Sequence, residues 1–439
     1  MNTFLPINNK KIGVLGSARS GLAAANLAKE LGADVFISDA GKMNNIQTTG
    51  IKYEFGGHSS KILESDIIIK SPGIDNRSDI IKKIKKQSIP IVSEIEFASW
   101  FTKGFIIALT GTNGKTTTVE LINHILKDKG LKTFLGGNIG VPFSYNVLEE
   151  LRNKNNSNLF HILEISSFQL EDIKYFKPNI SIILNIAPDH LDRHHNFTDY
   201  FNLKLNIMIN QDHDCYAILN EEYIKNINKK NNVNEIKFKL SKDQKMFIEG
   251  KEEKLDINNS FLLGIHNYEN ILAAFITCKI CGLSKESIIK SINNFKFLPH
   301  RLEKLVFNSK QIFYNDSKAT NLHATLAALD SLGFNIILIL GGIDKNNTDF
   351  SLLKKYKDKI KKIILYGDAR GTISKHIDDL FCFFSYHNFN QAINKAIEIS
   401  EENHEILLSP ACASFDQFNN YKERGNCFKK IISDYYDKN

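Results

Sequence analysis

A chain of 439 residues exceeds what a single hydrophobic core usually supports, so two or three domains are expected. With 42% hydrophobic and 24% charged residues, the composition is that of an ordinary globular protein and excludes a disordered or fibrous chain. The net charge of +7 is carried by scattered lysines and amphipathic runs such as Ile81–Lys86, which argues against a nucleic-acid face and suits anionic small substrates.

Apolar stretches all fall short of transmembrane length, and the first residues lack the charged-then-apolar pattern of a signal peptide. A cytoplasmic protein with no membrane contact is therefore expected. The six cysteines follow no disulfide framework. Cys278-Lys-Ile-Cys281 lies in an apolar helical run, where core burial is expected rather than metal or redox chemistry.

Lys11–Gly16 reads as a first strand, Ser17–Gly21 as a turn into an alanine-rich helix ending near Gly32, and Asp34–Asp39 as a second strand. Gly16, Ala18 and Gly21 stand at the three positions of a dinucleotide fingerprint. Alanine at the middle position restricts close approach of a pyrophosphate, which weakens a nicotinamide site but leaves room for a single diphosphate or a uridine. Asp66–Lys70 is a further buried strand, and Ser71-Pro-Gly73 is a turn at its carboxyl end. Ile89–Glu94 and a helix through Trp100 close this part of the chain, with a boundary near Thr102–Gly104.

Phe105-Ile-Ile107 then leads into Thr110-Gly-Thr-Asn-Gly-Lys-Thr-Thr117, followed by apolar residues at helical spacing through Leu126. In a strand, glycine loop and helix, the N–H groups of Gly111, Thr112, Asn113 and Gly114 and the helix N-terminus point at one spot. Lys115 adds positive charge there, so a polyphosphate is the natural occupant, with the Thr116 hydroxyl suited to Mg²⁺. Leu109 stands where the strict pattern has its first glycine, so the loop is a shortened variant.

Gly136–Pro142 is a glycine-dense loop, and His161–Leu170 is an apolar strand with Glu164 at its end. In a phosphate-binding enzyme that carboxylate is placed to anchor Mg²⁺; a helix N-cap at Ser166 is the plainer alternative. Ile180–His195 ends in a histidine and aspartate cluster that lacks transition-metal spacing. Tyr200 and Lys204 share a helix face, where a solvated surface lysine is the plain expectation. Residues 215–259 alternate apolar and polar, with a hairpin turn at Glu249–Lys251 and no legible chemistry. Asn267 and Asn270 fall one turn apart where an apolar helix opens, to serve a ligand or to cap it. A second boundary is expected at Phe297–Glu303. Beyond it, Gln311–Asn321, Asn335–Lys345 and Glu405–Phe418 each read as a strand ending in a polar loop, which describes a second doubly wound sheet without a phosphate loop of its own.

Thr110–Thr117, Glu164-Ile-Ser-Ser167, His266-Asn-x-x-Asn270, His300-Arg301 and Asn315-Asp-Ser-Lys-Ala-Thr-Asn321, in this order along essentially the whole chain, resemble the Mur ligase family of ATP-dependent amide-forming enzymes. Gly136–Gly140, Ser166–Leu170, Leu408–Phe418 and Arg424-Gly425 are similar to the branch that adds D-glutamate in peptidoglycan precursor synthesis. The resemblance implies an α/β chain of three domains: a Rossmann-like, UDP-binding domain at 1–102, a P-loop ATPase-like domain with a mostly parallel sheet at 103–298, and a Rossmann-like amino-acid-binding domain at 299–439.

The resemblance also implies that ATP activates the alanine carboxylate of UDP-N-acetylmuramoyl-L-alanine as an acyl phosphate, which the amine of D-glutamate then attacks. Gly111–Thr117 would bind ATP together with Asn267, Asn270, Arg301 and Asp316. Two Mg²⁺ sites are implied, one at Thr116 and Glu164, the other at His190 and Lys204, the lysine then being carbamylated; Lys115, Glu164, His190 and Lys204 form the catalytic set. Arg19, Ser20, Asp39, Ser71, Gly73, Asn138 and Ser166 would contact the UDP substrate, although Ala40 and Gly41 stand where some relatives offer a hydroxyl and an arginine. Lys318, Thr320, Lys345, Ser414, Phe415 and Tyr421 would hold D-glutamate, Tyr421 standing where some relatives have phenylalanine. A monomer is expected. The rivals are a Mur-type or folylpolyglutamate synthase-like ligase with another acceptor, a nicotinamide-dependent oxidoreductase on the first βαβ unit, and a nucleic-acid-dependent ATPase.

Overall fold

Near-continuous runs of isoleucine, leucine and valine, buried on both faces, build three separate sheets, most of whose strands are parallel. The computed structural model describes residues 7–41, 50–153, 158–187, 196–224, 232–257, 260, 262, 265–295, 299–305, 307, 311–344, 348–377 and 379–436. Among these, no helix is long and apolar enough to cross a membrane.

The first sheet holds β1 (Lys11–Leu15), β2 (Asp34–Asp39), β3 (Lys52–Phe55), β4 (Ile67–Lys70) and β5 (Ile91–Ser93), all parallel, in the order β3-β2-β1-β4-β5. The chain turns from one side of β1 to the other, so a crevice opens at the carboxyl end of that strand. Helix α1 (Arg19–Glu30) packs against β1 and β2 through Ala24, Ala25, Leu27 and Ala28. Gly21 makes this packing possible, because a Cβ on it would overlap the carbonyl oxygen of Gly16. Helix α2 (Asp79–Lys86) buries Ile80, Ile81 and Ile84 and turns its lysines outward, so the basic run is a helix face.

The second sheet has eight strands: β6 (Phe105–Thr110), β7 (Lys132–Gly137), β8 (Leu159–Glu164), β9 (Ile180–Ile183), β10 (Tyr216–Asn220), β11 (Asn234–Leu240), β12 (Met246–Ile248) and β13 (Lys251–Glu253). Their order is β13-β12-β11-β10-β9-β6-β8-β7, parallel except for the antiparallel hairpin edge β11-β12-β13. Strand β6 therefore lies between β8 and β9, which brings their three carboxyl ends side by side.

The first two sheets form one compact unit, joined by groups that sequence periodicity does not reveal. Lys70, only 1% exposed, places its ammonium 2.6 Å from Asn76 Oδ1, 2.9 Å from Glu171 Oε2 and 2.7 Å from Asp172 Oδ2. Helix α3 (Glu94–Ser99) contributes two buried carboxylates. Glu96 accepts the backbone N–H groups of Lys174, Tyr175 and Phe176 and the Trp100 indole N–H. Glu94 accepts the backbone N–H of Ser144, but burial dominates and pushes its carboxyl up to about 7.

That shift has a defined sign. Because the folded pKa of Glu94 lies above the unfolded value of 4.5, its contribution to stability is full below that pH and is lost as pH rises through about 7. The loss should reach about 3 kcal/mol, and Glu94→Gln should remove that part of the decline. Urea denaturation of both proteins at pH 5 and pH 8 checks this; equal pH dependence would refute it.

The third sheet lies in the other compact unit. It comprises β14 (Glu303–Leu305), β15 (Ile312–Asn315), β16 (Ile336–Gly341), β17 (Ile360–Tyr366), β18 (Phe383–Ser385) and β19 (Glu405–Ala411), in the order β14-β15-β19-β16-β17-β18. Only the β14 edge is antiparallel. Strand β19 sits between β15 and β16, so the polar loops after these three strands converge. Strands β17 and β18 add to the three whose polar ends the sequence displays.

Candidate active site

The glycine loop runs from β6 into helix α4 (Lys115–Asp128), with Gly114 as N-cap in the left-handed region at φ 78°. A side chain there would be strained, and its Cβ would strike Asn270 Oδ1, so glycine also lets Asn270 lie against the loop. The segment after β9 braces the loop from behind. Thr112 N–H donates to Asn185 O at 2.9 Å, and Asn113 N–H to Asn185 Oδ1 at 2.8 Å. The Thr112 hydroxyl accepts from Ala187 N–H at 3.0 Å and lies 3.2 Å from the Tyr200 hydroxyl. Lys115 folds over the loop, donating to the carbonyls of Gly111 and Thr112 at 2.8 Å each. Thr116 and Thr117 follow, buried, in the first turn of α4.

Because β8 lies beside β6, Glu164 arrives next to this helix start, 2% exposed. Its Oε2 accepts the Thr116 hydroxyl at 2.6 Å and its Oε1 accepts the Asn138 amide at 2.9 Å. Asn138 is further fixed by its backbone N–H, 2.7 Å from Glu164 O. Ser166 does cap a short helical turn, through its N–H and hydroxyl to Gln169 Oε1 at 3.0 and 3.1 Å, so the cap and the strand-end carboxylate coexist.

Lys204 corrects the sequence expectation of a solvated lysine. It lies on helix α5 (Phe197–Leu205), is 2% exposed, and donates to Gly111 O at 2.8 Å while its ammonium sits 4.6 Å from the centre of the Tyr200 ring. Helical spacing put Tyr200 and Lys204 on one face; it could not show that the face is turned to the glycine loop. Asn267 and Asn270 lie in the first turns of the helix Ile265–Ile280, Asn270 buried and Asn267 half-buried, and Cys278 of the same helix is core. His190 and Lys345 lie outside the described residues.

At the carboxyl end of β1, Arg19 and Ser20 open α1, Arg19 being exposed. Asp39 ties the turn together, accepting from Ser17 N–H at 2.6 Å, Ser17 Oγ at 2.7 Å and Gly41 N–H at 2.7 Å. Burial alone would raise its pKa, but these bonds and the nearby His58 outweigh burial and hold the carboxyl below its ordinary range. Ser71 is buried, its hydroxyl has no partner among the described residues, and it faces Gly16 so closely that a Cβ there would clash with it. A buried hydroxyl left unsatisfied beside a glycine turn fits a ligand oxygen. Gly73 has open space around it.

In the other unit, Asp316 accepts the Ser409 hydroxyl at 2.7 Å and Leu302 N–H at 3.1 Å. Burial pushes its carboxyl up to about 7 against these bonds and the charges of Arg301 and Arg424. Lys318 stands 5.3 Å from the centre of the Tyr421 ring, where the C-terminal helix Tyr421–Tyr436 begins. Thr320 is half-buried, Ser414 is buried and Phe415 is 65% exposed, all at the converging loops.

Three family profiles match the chain: the MurD N-terminal domain over residues 11–80, the Mur ligase middle domain over 109–278, and the Mur ligase glutamate ligase domain over 300–412. The UDP-N-acetylmuramoylalanine--D-glutamate ligase of Elusimicrobium minutum is 41% identical, covering 96% of this chain and 97% of its own. The enzyme of that name from Christiangramia forsetii is 38% identical over 96% of this chain and 99% of its own. The chain belongs to the Mur ligase family. This Mur ligase shares its fold with MurF of Thermotoga maritima, solved in complex with ADP (TM-score 0.61, 13% identity, 98% of this chain and 96% of that one). It also shares it with UDP-N-acetylmuramate-alanine ligase MurC of Thermotoga maritima (TM-score 0.60, 19% identity, 97% and 100%).

Two features of this Mur ligase escaped sequence reading: the Lys70 cluster, and Arg424, which is fully buried beneath the C-terminal loops. Arg424 carried a signal as part of a motif, but nothing local says what an arginine in a helix touches.

Proposed function

We propose that this Mur ligase adds D-glutamate to UDP-N-acetylmuramoyl-L-alanine in peptidoglycan precursor synthesis, using ATP and releasing ADP and phosphate, as a cytoplasmic monomer. The observation that carries the reading is the shared carboxylate of Glu164. It joins Thr116, at the phosphate end of the glycine loop, to Asn138, on the side where the muramoyl substrate would lie. The names of full-length relatives support the choice of acceptor. In this reading residues 1–102 receive UDP, 103–298 hold ATP and 299–439 hold the amino acid.

Gly111–Thr117 would cradle the β- and γ-phosphates, Lys115 leaving its loop carbonyls to meet them. Asn267, Asn270, Arg301 and Asp316 would hold the rest of the nucleotide. Thr116 and Glu164 present oxygen donors, the chemistry that suits Mg²⁺; His190 and a carbamylated Lys204 would hold a second ion. Bound there, Mg²⁺ would offset the charge that gathers on phosphoryl oxygens. Arg19, Ser20, Asp39, Ser71, Gly73 and Ser166 would fix the UDP substrate, the Ser71 hydroxyl gaining the partner it lacks among the described residues. Lys318, Thr320, Lys345, Ser414, Phe415 and Tyr421 would orient D-glutamate for attack on the acyl phosphate. Both steps build charge on oxygens, so fixed cations and N–H groups can carry catalysis without a protein nucleophile.

ADP release should require both UDP-N-acetylmuramoyl-L-alanine and D-glutamate. Equal release with L-glutamate, with meso-diaminopimelate or with no acceptor would overturn the assignment.

A further inference from the structure

Arg424 is wholly buried in the C-terminal helix, and its guanidinium is shared between two loops and the end of β17. Its Nε donates to Ser317 Oγ at 3.0 Å and its Nη2 to Ser317 O at 2.7 Å. Its Nη1 donates to Cys412 O and to the Tyr366 hydroxyl, both at 3.1 Å. The Ser317 hydroxyl in turn donates to Tyr421 O at 2.8 Å. Gly342 closes over the same group: a Cβ there would meet Ala413 O and come within 3.3 Å of Nη1.

These contacts have a common consequence. Ser317 precedes Lys318 and Thr320, Cys412 precedes Ser414 and Phe415, and Tyr421 begins the helix. One side chain therefore sets the spacing of the loops that carry the acceptor residues proposed above. Its hydrogen-bond partners are all carbonyls and hydroxyls, and among the described residues no carboxylate lies within ion-pair distance. Burying a guanidinium without an ion-pair contact is costly, and an apolar side chain of similar volume would usually pack as well. What the arginine adds is a rigid planar fork that binds several acceptors at once, and a fixed positive charge.

We propose that Arg424 is the positioning residue of the amino-acid acceptor site. It holds these two loops and the end of β17 in register and maintains positive potential beneath the place where a dicarboxylate acceptor binds. The proposal rests on the reading that these loops hold the acceptor. Asp316 feels the Arg424 charge but makes no ion pair with it, so positive potential remains for an anionic acceptor, which favours glutamate over a neutral amino acid of the same shape.

The test compares full-length wild type, Arg424→Lys, Arg424→Met and Ser317→Ala in steady-state assays that vary each substrate in turn. A second measurement traps the acyl phosphate with hydroxylamine in the absence of amino acid. Arg424→Lys, which keeps charge but loses the fork, should raise KM for D-glutamate by about tenfold, and Arg424→Met by more. KM for ATP and for the UDP substrate, and hydroxamate formation, should stay within about twofold. Ser317→Ala, which removes one bond of the fork, should raise the D-glutamate KM by about threefold and serves where Arg424→Met fails to fold. If all three KM values and hydroxamate formation worsen together, or kcat falls with the D-glutamate KM unchanged, Arg424 is scaffold and the proposal fails. Should wild type use a different amino acid, the substrate reading falls, and the same split measured with that amino acid still decides the role of Arg424.

Discussion

Lys115→Ala is expected to lower kcat for ADP release by about a thousandfold, the cost of removing one group aimed at charge that develops in the transition state. The rest of the loop supplies neutral donors: backbone N–H groups at the start of α4 and the hydroxyls of Thr112, Thr116 and Thr117. The Lys115 ammonium rests 2.8 Å from two carbonyls of its own loop, so it can swing to a phosphate without rearranging the backbone. Arginine cannot substitute, because a planar fork lacks the compact, rotatable charge of the ammonium and would not fit against Gly111 O and Thr112 O. Lys115→Arg should therefore recover little. Lys115 is only half-buried, so stability should change by less than about 1 kcal/mol, and thermal unfolding separates the two effects. Ligase activity within about tenfold of wild type would remove Lys115 from the proposed machinery.

The second large effect is expected at Lys204. Its replacement by alanine should lower activity by at least about a hundredfold, and added acetate should restore part of it. An ammonium cannot ligate Mg²⁺, whereas a carbamate on the same nitrogen is an oxygen donor. The position suits such a group: the nitrogen is buried and 2.8 Å from Gly111 O, against the glycine loop. Alanine leaves a space beside Tyr200 in which a short carboxylate can stand in for the carbamate. A variant that loses activity and does not respond to acetate, formate or propionate would argue against carbamylation. A variant that keeps activity would remove Lys204 from the site altogether.

Much of the architecture could be read along the chain because it depends on neighbours in sequence. The glycine loop is legible in the run from Phe105 to Leu126, since strand, loop and helix are contiguous and each obeys its own periodicity. The same holds for the hairpin at Glu249–Lys251 and for the lysine-bearing face of α2. Strands β17 and β18 have no such signature: Ile360–Tyr366 carries Lys361 and Lys362 among its apolar residues and ends in no motif that marks a loop as functional.

The groups that give the site its character come together over long separations. Glu164 meets Thr116 across 48 positions, Lys204 meets Gly111 across 93, Lys70 meets Glu171 across 101 and Arg424 meets Ser317 across 107. By itself the sequence determined the α/β class, the glycine loop between strand and helix, the strand ends where polar residues gather and the family. Tertiary structure decided that Lys204 is buried rather than solvated, that Glu94 and Glu96 sit in the joint between two sheets, and that an arginine with no ion-pair contact among the described residues lies under the converging loops. The physical reason is the order of strands. Periodicity and turn chemistry act over a few residues, whereas burial and pairing depend on which distant strands become neighbours, and β8 beside β6 or β19 beside β15 is settled only when the whole sheet closes its core.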